Sequence, residues 1–278
     1  MASLTGAVAD KGAIKLEVEN LCCSFRDQHG RPLKILDGIN ISASECEFVA
    51  IVGPSGCGKS TLFNIVAGLL QPETGKVSLG GKDIRGTTAH VGYMMQKDLL
   101  LSWRTILENV TLGPELRGVS RSSSHDGARD LIRRFGLEGF ENFYPSALSG
   151  GMRQRAALLR TVLCERSLLL LDEPFGALDA LTRAEMQEWL LDIWQDFRRT
   201  VLFITHDPEE AVFLSDRIYV LTSRPARVKD IVEVNLPRPR GHEITGSYEF
   251  AQLKRRVLDL VWDEGTRASR RGQASFSD

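Results

Sequence analysis

A nearly continuous apolar run, Glu47-Phe-Val-Ala-Ile-Val52, passes directly into Gly53-Pro-Ser-Gly-Cys-Gly-Lys-Ser60, and a helical pattern over Lys59–Leu70 follows at once. Buried strand, glycine-rich loop and helix in that order leave few folds open. The glycines let the backbone curl so that successive N–H groups point inward, and the helix start adds its positive dipole end. The spacing fits the G-x-x-x-x-G-K-[ST] phosphate loop in the context that pattern requires. Lys59 places a cation against β- and γ-phosphates, and the Ser60 hydroxyl is suited to ligate Mg²⁺. A nucleoside triphosphate is therefore expected over Gly53, Pro54, Ser55, Gly56, Cys57, Gly58, Lys59, Ser60 and Thr61. Many protein classes share this loop, so it names no reaction alone. Cys57 sits at a helix N-terminus near Lys59, which lowers a thiol pKa. It is expected to be the most reactive of the 5 cysteines if solvent reaches it.

Further strands surround this one. Ile14–Glu19 alternates apolar and polar, Ile35–Ile41 follows, and Lys76–Leu79 is a short strand between glycine turns. Ser167–Leu171, Thr200–Ile204 and Ile218–Leu221 are apolar runs separated by helical stretches, among them Arg183–Arg198. Thr182-Arg-Ala-Glu185 has the spacing of a capping box at that helix's start. Asp207 can cap a helix with Pro208 at its first position. Strands alternating with helices give an α/β body whose sheet is at least partly parallel and covered on both faces. Residues 98–166 have a helical texture and form an insertion in that body. Ser247–Asp263 suits one amphipathic helix, and the Arg/Ser/Gly-rich 265–278 is expected to be disordered.

Leu168-Leu-Leu-Leu-Asp-Glu-Pro174 is a strand ending in two carboxylates, at the strand end where open α/β sheets bind ligands. Asp172 is suited to hold Mg²⁺, usually through water, and Glu173 to act as general base toward an attacking water. Composition narrows the partners. With 35 Lys+Arg against 36 Asp+Glu the net charge is −1, which argues against binding nucleic acid by bulk phosphate neutralisation. No apolar stretch approaches the roughly 18–20 residues of a bilayer span. Residues 1–11 lack the pattern of a secretion signal. The odd cysteine count without metal-ligand spacing fits a reducing compartment, hence a cytoplasmic location.

Between the two motifs lies Leu148-Ser-Gly-Gly-Met-Arg-Gln-Arg155. Ser149 can cap the helix that begins near Gly151, and the bare glycines let a phosphate approach. In its place between the other motifs this segment resembles the signature of ATP-binding cassette (ABC) ATPases. The resemblance covers about residues 14–240. It implies a P-loop-type ABC nucleotide-binding domain with a mixed, largely parallel sheet, an N-terminal antiparallel β part and a helical subdomain. It also implies that Ser149, Gly150 and Gly151 contact the γ-phosphate held by a second copy, in a head-to-tail ATP-sandwich homodimer. Gln96 matches the glutamine that senses γ-phosphate and metal and touches the membrane partner, although Met94-Met95 stands where a valine–aromatic pair is usual. Asp179, in Phe175-Gly-Ala-Leu-Asp179, matches the loop that crosses to the other subunit. His206 matches the switch histidine. Phe25, the one aromatic between Ile14 and Glu47, matches the ring that stacks on adenine.

Leu101–Val110, Leu112–Val119, Asp172–Thr182 and Ala211–Arg217 are similar to one importer subfamily, that for nitrate, sulfonates such as taurine, bicarbonate and related nutrients. Ser102 departs from the proline often found before its tryptophan. The resemblance implies integral membrane permease subunits, an extracytoplasmic substrate-binding protein, and a peripheral place on the cytoplasmic face of the cell (inner) membrane. The competing reading is an ABC ATPase acting on DNA or ribosomes. Such relatives usually carry two cassettes or a long coiled coil, and neither is present in these 278 residues. A P-loop kinase or GTPase would lack the Leu148–Arg155 segment.

Overall fold

The computed structural model describes residues 12–176 and 178–274. The chain begins with β1 (Ile14–Arg26), β2 (Pro32–Ser44), β3 (Phe48–Val52) and α1 (Lys59–Val66), followed by β4 (Thr74–Leu79), β5 (Lys82–Asp83) and β6 (Gly92–Met94). The helical insertion holds α2 (Ile106–Val110), α3 (Leu112–Leu116), α4 (Arg121–Arg134) and α5 (Gly150–Leu163). Then come β7 (Leu168–Asp172), α6 (Ala180–Phe197), β8 (Thr200–Ile204), α7 (Pro208–Leu214), β9 (Arg217–Leu221), β10 (Val228–Glu233) and α8 (Tyr248–Ala274).

Two sheets form among the described residues. One is antiparallel in the order β2-β1-β4-β5; the other runs β10-β9-β3-β8-β7-β6, parallel except for β10. Every residue of β3, β7 and β8 is buried, as parallel strands covered on both faces must be. Strand alternation then divides the core. Phe48, Ala50, Val52, Leu169, Leu171 and Phe203 join one cluster with α5, α6 and α7. Val49, Ile51, Leu168, Leu170, Leu202 and Ile204 join the other, with α1 and the antiparallel sheet. One central sheet therefore carries the helices on one side and α1 with β1 and β2 on the other.

Several local expectations shift. α1 ends at Val66 and not Leu70, because Gly68 turns left-handed at φ 75° and its α-carbon lies where an added Cβ would be 2.0 Å from the Thr87 carbonyl oxygen. α6 starts at Ala180, capped by Asp179, whose carboxylate accepts from the Thr182 N–H at 3.0 Å. The Thr182–Glu185 pattern thus lies inside the helix, and the earlier cap prevails. α8 runs to Ala274 and not Asp263: Phe250 and Val257 are buried in the core, and Arg-, Ala- and Gln-containing sequence extends a helix already nucleated by that docking. The disorder expected over 265–278 is thereby replaced by helix to Ala274, and the last four residues lie outside the described ones. Between β10 and α8, the wholly buried Arg240 guanidinium donates to the carbonyls of Phe213 at 3.0 Å and Ser215 at 2.7 Å, closing the C-terminal end of α7. Burial lowers its pKa to about 10.

Candidate nucleotide site

At the C-terminal end of β3 the chain makes the glycine loop and enters α1, whose start has no side-chain cap. Gly58 is required there: φ is 125°, and an added Cβ would stand 2.8 Å from the Ile35 side chain and 2.9 Å from that of Leu36. The loop is therefore seated on β2. A cavity of about 600 Å³ opens above it. Ser55, Gly56, Gly58, Lys59, Ser60 and Thr61 form its floor, Phe25, Leu33 and Ile35 an apolar wall, and Gln96, Glu173 and His206 the facing wall. Phe25 is 44% exposed despite its ring, as a stacking surface requires.

Not every loop residue faces the cavity. Gly53 and Pro54 lie behind it, and their carbonyls accept from the Lys59 Nζ at 2.8 and 3.1 Å. Cys57 is 2% exposed, and burial pushes its thiol pKa up against the lowering effect of Lys59. The accessible, reactive thiol considered from the sequence is absent, because the side chain turns under the loop beside Gly53.

The two carboxylates at the end of β7 diverge. Asp172 is buried, which raises its pKa against the lowering effect of the nearby Ser60 hydroxyl and Lys59 ammonium. Glu173 turns the other way, with a left-handed φ of 47° that its N–H secures by donating to the Ile204 carbonyl at 3.0 Å. One oxygen, Oε2, accepts from Gln96 Nε2 at 3.1 Å and lies 3.4 Å from His206 Nδ1. Three residues from three separate loops thus meet at one carboxylate beside the glycine loop. His206 is held by its neighbours: the Thr205 hydroxyl donates to Glu210 Oε2 at 2.6 Å and accepts from the Asp207 N–H at 3.0 Å, while Asp207 caps α7.

The cavity suits a nucleoside triphosphate: apolar wall for a base, unblocked helix start and lysine for phosphates. Among the described residues no group of three or more His, Cys, Asp or Glu side chains can hold a metal ion unaided. A metal here would need phosphate oxygens to complete its shell, and Ser60, with the Asp172 carboxylate close by, offers the protein's share.

Ser149, Gly150, Gly151 and Asp179 are not among the residues lining this cavity. Ser149 accepts from the Met152 N–H at 3.3 Å and caps α5, with Ser149 and Gly150 exposed. Gly151 serves packing, since a Cβ there would meet the Thr182 side chain at 3.2 Å. Arg224 is a cavity residue that sequence reasoning missed. It lies in no motif, and only the return of the chain after β9 places it there.

The described structure has no helix long and apolar enough to cross a membrane. A family model described as "ABC transporter" matches residues 36–176. An uncharacterized ABC transporter ATP-binding protein of Methanocaldococcus jannaschii is 48% identical over 92% of this chain and 94% of its own length. A taurine import ATP-binding protein of Rhizobium johnstonii is 39% identical over 88% of this chain and 96% of its own. Among solved structures, a dimeric ATP-binding cassette in a post-hydrolysis state with ADP and phosphate superimposes with TM-score 0.70 at 27% identity, covering 80% of this chain and all of the other. The chain belongs to the ABC transporter family and is an ATP-binding ABC ATPase.

Proposed function

We propose that this chain is the ATP-hydrolysing subunit of an ABC importer for a small anion or nutrient such as taurine or another sulfonate, nitrate or bicarbonate. The observation that carries the hydrolytic part is the convergence of Gln96 and His206 on Glu173 beside the glycine loop. The backbone N–H groups of the loop and the Lys59 ammonium bind the phosphate chain, and Phe25 stacks on adenine. Glu173 orients a water and takes its proton as the water oxygen attacks the γ-phosphorus; the bond to the β-phosphate oxygen breaks, and ADP and phosphate leave. Gln96 and His206 hold the carboxylate for that proton transfer. Mg²⁺, when bound, neutralises charge on the β- and γ-phosphates, and Ser60, Gln96 and Asp172 are the residues that would hold it.

Ser149, Gly150, Gly151 and Asp179 act across the interface of a head-to-tail homodimer, completing the site of the second copy. Closure of two such sites favours one state of separate membrane permease subunits, supplied from outside by a substrate-binding protein. The chain then works peripherally on the cytoplasmic face of the inner membrane. The importer part of this reading draws on the 39% identical taurine import relative. Co-purification with a polytopic membrane protein, and faster ATP hydrolysis once the two are reconstituted in vesicles, is the expected outcome. Association with DNA or ribosomes that stimulates hydrolysis instead would favour the non-transport reading.

A further inference from the structure

The loop between β9 and β10, residues 222–227, touches the apolar wall, the glycine loop and α8. Its Ala226 N–H donates to the Ile35 carbonyl at 2.8 Å and its Ala226 carbonyl accepts from the Asp37 N–H at 3.0 Å, which ties it to the apolar wall. The Thr222 hydroxyl donates to the carbonyls of Ser223 at 2.9 Å and Pro225 at 3.2 Å and accepts from the Arg227 N–H at 2.9 Å, so the loop is internally braced. Arg224 lines the cavity, and its Nη2 donates to the Gly56 carbonyl at 2.6 Å. On the far side, the Ser223 N–H donates to Glu264 Oε2 of α8 at 3.1 Å. Glu264 is only 4% exposed and pairs with Lys229 at 3.3 Å. A carboxylate buried to that degree is tolerated only with partners, so this stretch of α8 is fixed to the loop.

We propose that Arg224 is a second cation for the polyphosphate chain of the nucleotide, and that Glu264 is the positioning residue that keeps it there. The proposal rests on reading the cavity as the ATP site. A guanidinium carries five donors, and the bond to Gly56 uses one of them, leaving the planar fork free for phosphate oxygens at the tip of the glycine loop. The Lys59 ammonium stands against other carbonyls of the loop, those of Gly53 and Pro54. Because Ser223 and Arg224 are consecutive, movement of α8 away from the loop displaces the guanidinium. The C-terminal helix thereby sets the affinity for ATP.

Equilibrium binding of a fluorescent ATP analogue to the full chain tests this, with thermal unfolding to confirm folding. Arg224→Ala is expected to weaken binding about tenfold or more, the scale of one charge-assisted hydrogen bond. In turnover the loss should fall on KM and leave kcat nearer its original value. Glu264→Ala should weaken binding in the same direction by less, and Glu264→Gln, which keeps an acceptor for Ser223, should rescue most of it. The double variant Arg224→Ala/Glu264→Ala should bind no worse than Arg224→Ala alone. Unchanged affinity in Arg224→Ala while Lys59→Ala loses binding overturns the role of Arg224 and leaves the cavity reading intact. Additive losses in the double variant overturn the positioning role of Glu264. Retained affinity in Lys59→Ala would instead remove the cavity reading itself.

Discussion

The helices α1 and α5 both start beside glycines, yet their first turns meet different surroundings. At α1 no side chain caps the helix, and the exposed donors face a cavity furnished by Phe25, Lys59, Glu173 and His206 from the same chain. At α5 the Ser149 hydroxyl accepts the Met152 N–H, and Ser149 and Gly150 are exposed and do not line that cavity. The same positive helix end is thus built into an enclosed site in one place and left as a bare surface in the other. One chain holds a cavity with an apolar wall, a glycine loop and the Glu173 carboxylate, plus a second positive helix end that does not line it. In the proposed head-to-tail pairing that end would meet a phosphate bound by the other copy.

The comparison breaks first at Glu173. Glu173→Gln keeps the bond from Gln96 but removes the base, so hydrolysis should fall by about 10²-fold or more while MgATP still binds. Gel filtration with ATP should then show the dimer accumulating; near-normal turnover would remove Glu173 from its role. Next comes the outward end. Ser149→Arg should abolish most turnover while leaving nucleotide binding to the single chain through Lys59 near its original affinity. Mixing Ser149→Arg with Lys59→Ala protein should restore hydrolysis, since one composite site of the mixed dimer has both parts intact. Each variant proving fully active alone would end the division of labour between α1 and α5.

Smaller effects sharpen the picture of the enclosed site. Phe25→Ala should weaken ATP binding by up to about tenfold and Phe25→Tyr should leave it near unchanged, since stacking uses only the ring face. Titration calorimetry with ATP distinguishes them; equal losses in both variants would deny the stacking. Labelling should respect burial. Raised by burial, the Cys57 thiol stays protonated at neutral pH and its thiolate fraction grows only as pH climbs. A short maleimide pulse at neutral pH should therefore mark the half-buried Cys22 and Cys46 before Cys57, and peptide mapping at rising pH should show Cys57 catching up.

Much of this is legible in the sequence. β3, β7 and β8 are legible because strands buried on both faces have to be continuous apolar runs. The cap of α7 is legible because Asp207-Pro208 is a local device whose partners lie within two residues. Motif order points to Gln96, Glu173 and His206, and the structure joins them at a single oxygen. What stayed hidden depends on distant packing. The direction of the Cys57 side chain is decided by what fills the space beneath Gly53, where Leu221 of β9 stands. Arg224 reaches the cavity only because β9 pairs with β3 and the following loop is bound to β2 and α8. β10 alternates poorly in sequence and forms at the sheet edge by pairing antiparallel with β9.

The left-handed backbone of Glu173 sets stability and activity against each other at a single position. Glycine or asparagine suits φ 47° better than glutamate does, and relief of such a conformation is worth on the order of 1 kcal/mol. A mutational scan that selects only for abundance or heat resistance should therefore enrich Gly and Asn at 173, while a scan that selects for hydrolysis should eliminate both. The opposite ranking of the same substitutions in two screens would mark this residue as one that selection for chemistry maintains against the preference of the chain.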